Sequence, residues 1–206
     1  MARALLTLLV ALVLAGCGSS GSDAPVKGFQ TSDKDGYHGV FLDEPYAVPD
    51  VALTDTDGKP FDLGAQDKRT LVFFGYTNCP DICQVVMSTI VSAVARLSPE
   101  EKRQVQVAFI TTDPARDTPA KLRTYLDRFD PAYVGLTGPI KRIDKLAQPL
   151  KVYIEKGEKL PSGGYAVDHA TVVVAVSQGR GDLVWTGGTS PADMAEDIEK
   201  ILAAGQ

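Results

Sequence analysis

The chain of 206 residues, 44% of them hydrophobic, is long enough to bury the core of one globular domain. A formal net charge of −5 and the absence of a basic stripe argue against a nucleic-acid partner. Its three cysteines, Cys17, Cys79 and Cys83, are too few for a disulfide scaffold, so the fold must depend on its hydrophobic core.

The first residues have the pattern of an export signal. Arg3 supplies a positive charge, an apolar run from Ala4 to Val13 follows, and Leu14-Ala15-Gly16 provides a small-residue cleavage context. The apolar run is too short for a membrane-spanning helix, which needs about 20 residues. We therefore predict a signal peptide over residues 1–16.

Cys17 stands directly at the predicted cleavage point. The run Leu14-Ala15-Gly16-Cys17 resembles the bacterial lipobox, in which the cysteine is diacylated and becomes the mature N-terminus. The alternative is an ordinary secretory signal that happens to precede a cysteine. We predict lipidation of Cys17, because two acyl chains anchor a protein stably at a membrane, here the outer face of the bacterial cell membrane. Residues 17–36 are then a flexible linker to a domain over residues 37–206.

Hydrophobic periodicity beyond the linker predicts alternating strands and helices. A first hairpin pairs Val51–Thr54 with Phe61–Leu63 through a turn that contains Asp57-Gly58. The apolar run Leu71–Tyr76 has the length of a buried strand, and a helix over Val85–Leu97 follows it, with Pro80 in the first turn. The remaining predicted elements are a strand at Val105–Thr111, a helix capped by Thr118, a short strand at Tyr133–Leu136, a helix at Ile140–Leu150, an edge strand at Val152–Ile154, a loop at Gly157–Tyr165, a strand at His169–Val176 paired with Leu183–Trp185, and a helix that starts at Ser190.

This order, with two cysteines at a strand-to-helix turn, indicates a thioredoxin-like α/β fold. We predict a central mixed sheet with flanking helices and an N-terminal β-hairpin, because the crossovers imply parallel central strands and the final hairpin adds antiparallel ones. Ligand sites in open α/β sheets lie at the carboxyl ends of strands. Cys79 and Cys83 follow one such end and Asp113 follows the next, so we expect all three at the same edge.

Cys79 and Cys83 are the main candidates for chemistry. Residues four apart on a helix share one face, and a helix N-terminus favours the thiolate that metal binding and disulfide exchange both need. Typical redox motifs have two residues between the cysteines, whereas three stand between these. The spacing leaves a metal site and a redox-active pair both open. A purely structural disulfide would restrict little of the unfolded chain, because the loop is so short.

His169 is the candidate third ligand. A lone histidine at the start of a strand more often has a structural role, but the predicted fold could bring this one to the cysteine edge. Two thiolates and one imidazole form a soft ligand set that suits Cu(I) and is acceptable to Cu(II) or zinc. We expect Asp113 to orient a ligand or to tune the thiolates. Arg116 is expected to pair with Asp117, and His38 to have a structural or solvent role.

Three motifs together resemble the SCO/SenC family of copper chaperones for cytochrome c oxidase. They are Gly75–Cys83, Asp113–Pro119 and Asp168-His169, and the likeness extends from about Tyr37 to the C-terminus. The resemblance implies a thioredoxin-like fold and copper ligation by Cys79, Cys83 and His169. It also implies delivery of copper to the binuclear copper site of oxidase subunit II, with an upstream copper donor as a second partner, or reduction of the cysteines of that site.

The chain departs from the family pattern at three places that do not remove a ligand. Gln84 stands where a second proline is usual, Ala170 where a serine often follows the histidine, and the Ser177–Gly181 turn lacks the usual Asp-Pro. Two enzymatic alternatives compete with copper transfer. One is a thiol–disulfide oxidoreductase that uses Cys79 and Cys83. The other is a peroxidase of the same fold with Cys79 as the reactive thiolate, although nothing else in the sequence indicates peroxide chemistry.

Overall fold

A computed structural model describes residues 36–159 and 165–205 of the chain. The predicted signal peptide and Cys17 lie outside the described residues. The strands within the described part are β1 (Val40–Ala47), β2 (Ala52–Asp55), β3 (Pro60–Asp62), β4 (Arg69–Gly75), β5 (Val105–Thr111), β6 (Val134–Thr137), β7 (Ile154–Lys159), β8 (Tyr165–His169), β9 (Val173–Ser177) and β10 (Arg180–Trp185). The helices there are α1 (Ile82–Arg96), α2 (Pro99–Gln104), α3 (Pro119–Leu126), α4 (Ile140–Ala147) and α5 (Pro191–Ala204).

An eight-stranded mixed sheet forms the centre, in the order β1-β10-β9-β4-β5-β6-β2-β3. Strands β4, β5 and β6 run parallel, while β9 pairs antiparallel with β4 and β10 antiparallel with β9. The predicted β2–β3 hairpin is present and pairs with β6. The predicted thioredoxin-like fold, with a mixed sheet, flanking helices and an N-terminal hairpin, is confirmed.

Helices cover both faces of the sheet, which explains why β4 reads as a continuous apolar run. Leu71 and Phe73 join one buried cluster, with residues of α1, α3 and α5. Val72 and Phe74 point to the opposite face and join a second cluster, with residues of α4. None of the helices in the described ranges is both long enough and apolar enough to cross a membrane.

Strand β1 and helix α2 were not predicted from the sequence. Strand β1 pairs antiparallel with β10, with a register irregularity between Phe41 and Tyr46 that accommodates the polar stretch between them. The short helix α2 has no buried residue and so has no apolar face to signal it. Its sequence signal is a capping box, in which Ser98 and Glu101 exchange side-chain and backbone hydrogen bonds.

The predicted strand at His169–Val176 was wrong in extent, because it is two strands in two different sheets. His169 is the last residue of β8, whose partner is β7, and it pairs with Ile154. The next strand, β9, begins only at Val173, where pairing with Phe73 and Trp185 starts. The predicted loop at Gly157–Tyr165 was wrong at both ends, because residues 157–159 belong to β7 and Tyr165 begins β8. Residues 160–164 lie outside the described residues.

Candidate metal centre

The two cysteines flank the start of α1, but only one of them is helical. Asp81 caps the helix and accepts a hydrogen bond from the Ile82 N–H, so Cys83 is the second helical residue. Cys79 and Pro80 therefore lie in the loop before the helix, which corrects the prediction that Pro80 stands in the first turn. The Cys79 N–H donates to the Tyr76 carbonyl at 3.1 Å, which folds the loop back on itself.

The loop nevertheless brings the two sulfur groups together. The Cys83 N–H donates to Cys79 Sγ at 3.4 Å, so the cysteine sulfur takes up one of the N–H groups that a helix start leaves without a partner. Cys79 is 6% exposed and Cys83 is fully buried. The hydrogen bond favours negative charge on Cys79 Sγ, because it stabilises the charged form of its acceptor.

Cys83 holds its proton more tightly than an ordinary thiol. Its side-chain hydrogen bond with Cys79 raises the pKa of Cys83, and burial raises it further. The negative charge of the nearby Asp117 acts in the same direction. In the metal-free pair, the buried sulfur is therefore the protonated partner.

A glycine at the end of β4 makes room for the Cys83 side chain. A Cβ atom at Gly75 would lie 3.1 Å from Cys83 Sγ and 2.9 Å from Cε2 of Phe109. Both distances are shorter than ordinary contacts of carbon atoms, which are about 3.5–4.0 Å. The glycine that ends β4 is thus a requirement of the sulfur site.

Asp117 joins the cysteine loop to the end of β5. Its buried carboxylate accepts hydrogen bonds from the Thr77 N–H at 2.9 Å, the Thr77 hydroxyl at 2.6 Å and the Thr111 hydroxyl at 2.7 Å. Sequence reasoning assigned Asp117 only an ion pair with Arg116. That predicted ion pair is not formed, because Arg116 pairs with Asp113 instead. The motif Asp113–Pro119 itself was the available signal for a buried acidic anchor.

Asp113 lies at the same edge of the sheet as the cysteines, in the loop that follows β5. That loop is held to β4 by the Thr112 N–H, which donates to the Gly75 carbonyl at 2.7 Å. The Asp113 carboxylate is buried and paired with Arg116, and the Arg116 guanidinium lies 5.7 Å from the ring centre of Tyr76. Asp113 thus contacts the cysteine loop through Arg116 and Tyr76.

Strand β8 is attached to the cysteine loop two residues before His169. The backbone of Val167 forms a hydrogen bond with Tyr76, which partly offsets the rise that burial causes in the pKa of Tyr76. The Val167 side chain is buried in the same apolar cluster as Cys79 and Cys83. The side chains of Asp168 and His169 lie outside the described residues. Among the side chains that are described, no group of three His, Cys, Asp or Glu residues could hold a metal ion.

The other histidine is remote from this edge. His38 Nε2 lies 3.1 Å from a carboxylate oxygen of Glu196 on α5. Its backbone N–H donates to Asp197, a buried carboxylate that also accepts hydrogen bonds from Gly39 and from the Trp185 indole. These contacts agree with the structural role that we expected for His38.

Comparisons with known proteins identify the family. The family model described as SCO1/SenC matches residues 43–203, which is well over half of the chain. The chain therefore belongs to the SCO1/SenC family. The matched segment contains both cysteines, the Asp113–Pro119 motif and His169.

Solved structures and curated relatives agree with that assignment. Apo Sco1 from Thermus thermophilus has 33% sequence identity and a TM-score of 0.72, with 80% of this chain and 96% of that chain covered. Copper-bound ScoI from Bradyrhizobium japonicum has 32% identity and a TM-score of 0.67, with 75% and 98% covered. The mitochondrial protein SCO2 of Saccharomyces cerevisiae is 37% identical over 57% of this chain and 40% of its own length. The matches span between 40% and 64% of the length of the first curated relatives.

Proposed function

We propose that this chain binds copper outside the cytoplasm and delivers it to the binuclear copper site of cytochrome c oxidase subunit II. The observation that carries the proposal is the pair of adjacent cysteine sulfurs at the carboxyl edge of a thioredoxin-like sheet. Thiolates are soft ligands that select Cu(I). Copper is present in solved relatives, including the Bradyrhizobium japonicum protein at 32% identity. The family resemblance is the ground for naming the recipient.

His169 supplies the third ligand in this proposal. His169 is the last residue of β8, two positions after Val167, and its backbone pairs with Ile154. Because Val167 packs in the cluster that contains both cysteines, this placement supports an approach of His169 to the sulfur pair. Two thiolates and one imidazole then bind Cu(I) with a low coordination number, which leaves room for a recipient ligand.

The acidic residues after β5 would hold the metal loop in place. Asp117 fixes the Thr77 backbone through its three hydrogen bonds and so restrains the segment that ends in Cys79. Asp113 does not contact the loop itself in this proposal: it holds Arg116, and the Arg116 guanidinium lies over the ring of Tyr76 in the loop. Partners of this kind orient metal ligands and limit their movement.

Reduction of the recipient's cysteines is the second candidate function. It is favoured by the difference in exposure between the two thiols, since Cys79 is near the surface and Cys83 is fully buried. Cys79 thiolate would attack a partner disulfide and form a mixed disulfide. Cys83, once deprotonated, would then attack Cys79 and release the partner as a dithiol, which leaves a Cys79–Cys83 disulfide. Two electrons pass to the partner.

A transfer assay separates the two functions. Cu(I)-loaded protein is mixed with a subunit II copper-binding fragment whose cysteines are already reduced, so that no reduction is needed. We expect copper to move to the fragment, and the His169→Ala protein to fail in loading while it still exchanges with a small disulfide. If the loaded protein transfers no copper, and the copper-free protein only keeps the fragment's thiols reduced, the reductase function replaces copper delivery.

We also propose that Cys17 is the lipidated N-terminus that holds the domain at the outer face of the bacterial membrane. The Leu14-Ala15-Gly16-Cys17 pattern supports this proposal. Mass spectrometry of the mature protein should find a diacylated N-terminal cysteine, and Cys17→Ser should block that attachment and the cleavage. A mature, unacylated chain that begins elsewhere would contradict the anchor.

A further inference from the structure

A groove runs along the cysteine loop on the side of α3. Its volume is about 420 Å³, and one wall is formed by Thr77 and Asn78, which immediately precede Cys79. The other wall is formed by α3 and the residues after it, including Lys121, Tyr125 and Arg128. Any molecule that occupies the groove therefore contacts the segment that leads into Cys79.

The groove carries two positive charges that no described residue neutralises. Lys121 and Arg128 form no ion pair with any residue in the described ranges. The Lys121 ammonium donates to the Arg116 carbonyl at 3.0 Å, and Arg128 Nε donates to the Tyr125 carbonyl at 3.5 Å. The Arg128 guanidinium also lies over the Tyr125 ring, 4.9 Å from its centre. These neutral contacts hold both cations at the groove without reducing their charge.

Two acidic side chains near the groove are paired with arginines, and a third is buried. Asp127 pairs with Arg123, Asp113 pairs with Arg116, and Asp117 is buried and hydrogen-bonded to the loop. The chain as a whole has a net charge of −5, so this groove is a local positive region on an acidic protein. Such a region attracts a carboxylate, and its field directs an approaching partner to one place on the surface.

The lining also contains an unsatisfied polar group. The side chain of Tyr125 is only 3% exposed. Its hydroxyl is buried and has no hydrogen-bond partner among the described residues. A buried hydroxyl without a partner costs free energy. Because this hydroxyl is enclosed, the charge that the groove presents to an anionic group comes from Lys121 and Arg128.

We propose that this groove docks a carboxylate-bearing segment of the protein that exchanges copper with Cys79 and Cys83. The inference rests on the proposed copper function. A protein segment fits better than a small anion because the groove is open and adjoins the cysteine loop, where a metal-exchanging partner must come into contact. The cations orient that partner, and the thiols perform the exchange.

The test measures the rate of Cu(I) transfer to the reduced subunit II fragment over a series of salt concentrations. Reversal of both cations, Lys121→Glu with Arg128→Glu, should slow transfer about tenfold at low salt and remove most of its salt dependence, as expected for loss of electrostatic steering. The neutral pair Lys121→Gln with Arg128→Gln should have a smaller effect. Copper loading should be unchanged in both, because neither residue contacts the thiols.

The matched control is Lys68→Glu with Arg103→Glu. It changes the net charge by the same amount but lies at the opposite end of the sheet, before β4 and β5. It should leave the transfer rate unchanged. Equal rates for the groove variant and the wild type would overturn the proposal. Loss of copper loading in the groove variant would also overturn it, since the cations would then belong to the metal site.

A second readout does not depend on copper or on the recipient. Hexaglutamate added to the copper-free wild-type protein should shift the amide resonances of Thr77, Asn78 and Lys121, while hexalysine should not. Absence of these shifts overturns docking, and so does displacement of the peptide by inorganic phosphate at matched ionic strength, which would identify a small-anion site. If the wild type binds hexaglutamate here but transfers no copper, the proposed copper function fails and the acidic-segment groove remains.

Discussion

At the scale of single residues, Asp117 is the group on which the position of the cysteine loop most depends. Its carboxylate accepts three hydrogen bonds, and the Asp117→Asn side chain would direct an amide N–H at one of these donors. We expect Asp117→Asn to lower the free energy of unfolding by about 1–3 kcal/mol, measured by urea denaturation. Cys79 should also react faster with a thiol reagent, because the loop is no longer restrained.

The matched change is Asp127→Asn. Asp127 is an exposed carboxylate on the same surface, and its ion pair with Arg123 is of the helical i,i+4 type. Loss of this ion pair should lower the free energy of unfolding by less than about 0.5 kcal/mol and leave the reactivity of Cys79 unchanged. If the two variants have equal stability and equal thiol reactivity, Asp117 does not restrain the loop.

Gly75 is the second residue with a specific requirement. Gly75→Ala would place a methyl group 3.1 Å from Cys83 Sγ and 3.0 Å from Cε1 of Phe73. Overpacking of this kind typically costs about 1–3 kcal/mol, so we expect that loss in urea denaturation together with weaker Cu(I) binding. Gly188→Ala, where no atom lies within 4 Å of the new Cβ, should change stability by less than about 0.5 kcal/mol. Equal behaviour of the two variants would contradict the packing argument.

At the scale of elements, the parallel centre of the sheet was predictable and the placement of the cysteines only in part. The apolar run of β4 and the Asp57-Gly58 turn depend on local sequence, and both are present. The spacing of Cys79 and Cys83 predicted that the two would be close, and they are. The prediction placed both cysteines on one face of the helix, but Asp81 caps the helix after Cys79, so Cys79 is not helical. A hydrogen bond from the Cys83 N–H to Cys79 Sγ holds the two residues together instead.

The parts that sequence could not predict depend on distant pairing. Strand β1 contains Asp43, Glu44 and Pro45 and is a strand only because β10 pairs with it. The run from His169 to Val176 has uniform strand character, so its division between two sheets follows from different partners, Ile154 for His169 and Phe73 for Val173. Asp117 was likewise missed as an anchor, since its hydrogen bond to Thr77 spans 40 residues of sequence.

The capping box of α2 makes an element-scale prediction. Ser98→Ala should lower stability by about 1 kcal/mol at neutral pH, because it removes the side chain that accepts from the Glu101 N–H. The Ser98 side chain and then its backbone lower the pKa of Glu101 from its ordinary value of 4.5. A carboxyl with a lowered folded pKa stabilises the fold above its unfolded pKa and loses that contribution as the pH falls through the folded value.

Urea denaturation at neutral pH and below pH 4.5 checks this prediction. The wild type should lose more stability between the two conditions than Ser98→Ala does, since the variant lacks the hydroxyl that contributes most to lowering the pKa of Glu101 and keeps only the backbone N–H. Lys102→Ala is the control, because Lys102 is in the same helix but outside the capping box. If acidification lowers the free energy of unfolding equally in the wild type and in Ser98→Ala, the capping box does not stabilise the helix.

At the scale of the whole molecule, the elements that form the proposed metal site lie at one edge of the sheet. The cysteine loop, the loop after β5 and strand β8 meet there, joined by the Asp117 carboxylate and by the contact between Tyr76 and Val167. The positive groove adjoins the same loop. The remainder of the described fold is a closed core that leaves this edge as the place where a partner can reach the thiols.

The most direct test of the copper proposal is X-ray absorption at the copper edge on reduced protein loaded with one equivalent of Cu(I). The proposal predicts two sulfur ligands and one nitrogen ligand in the wild type. His169→Ala should lose the nitrogen, His38→Ala should keep it, and Cys79→Ala or Cys83→Ala should retain no tightly bound copper. A wild-type spectrum without a nitrogen ligand, or one that His169→Ala leaves unchanged, would contradict the three-residue site.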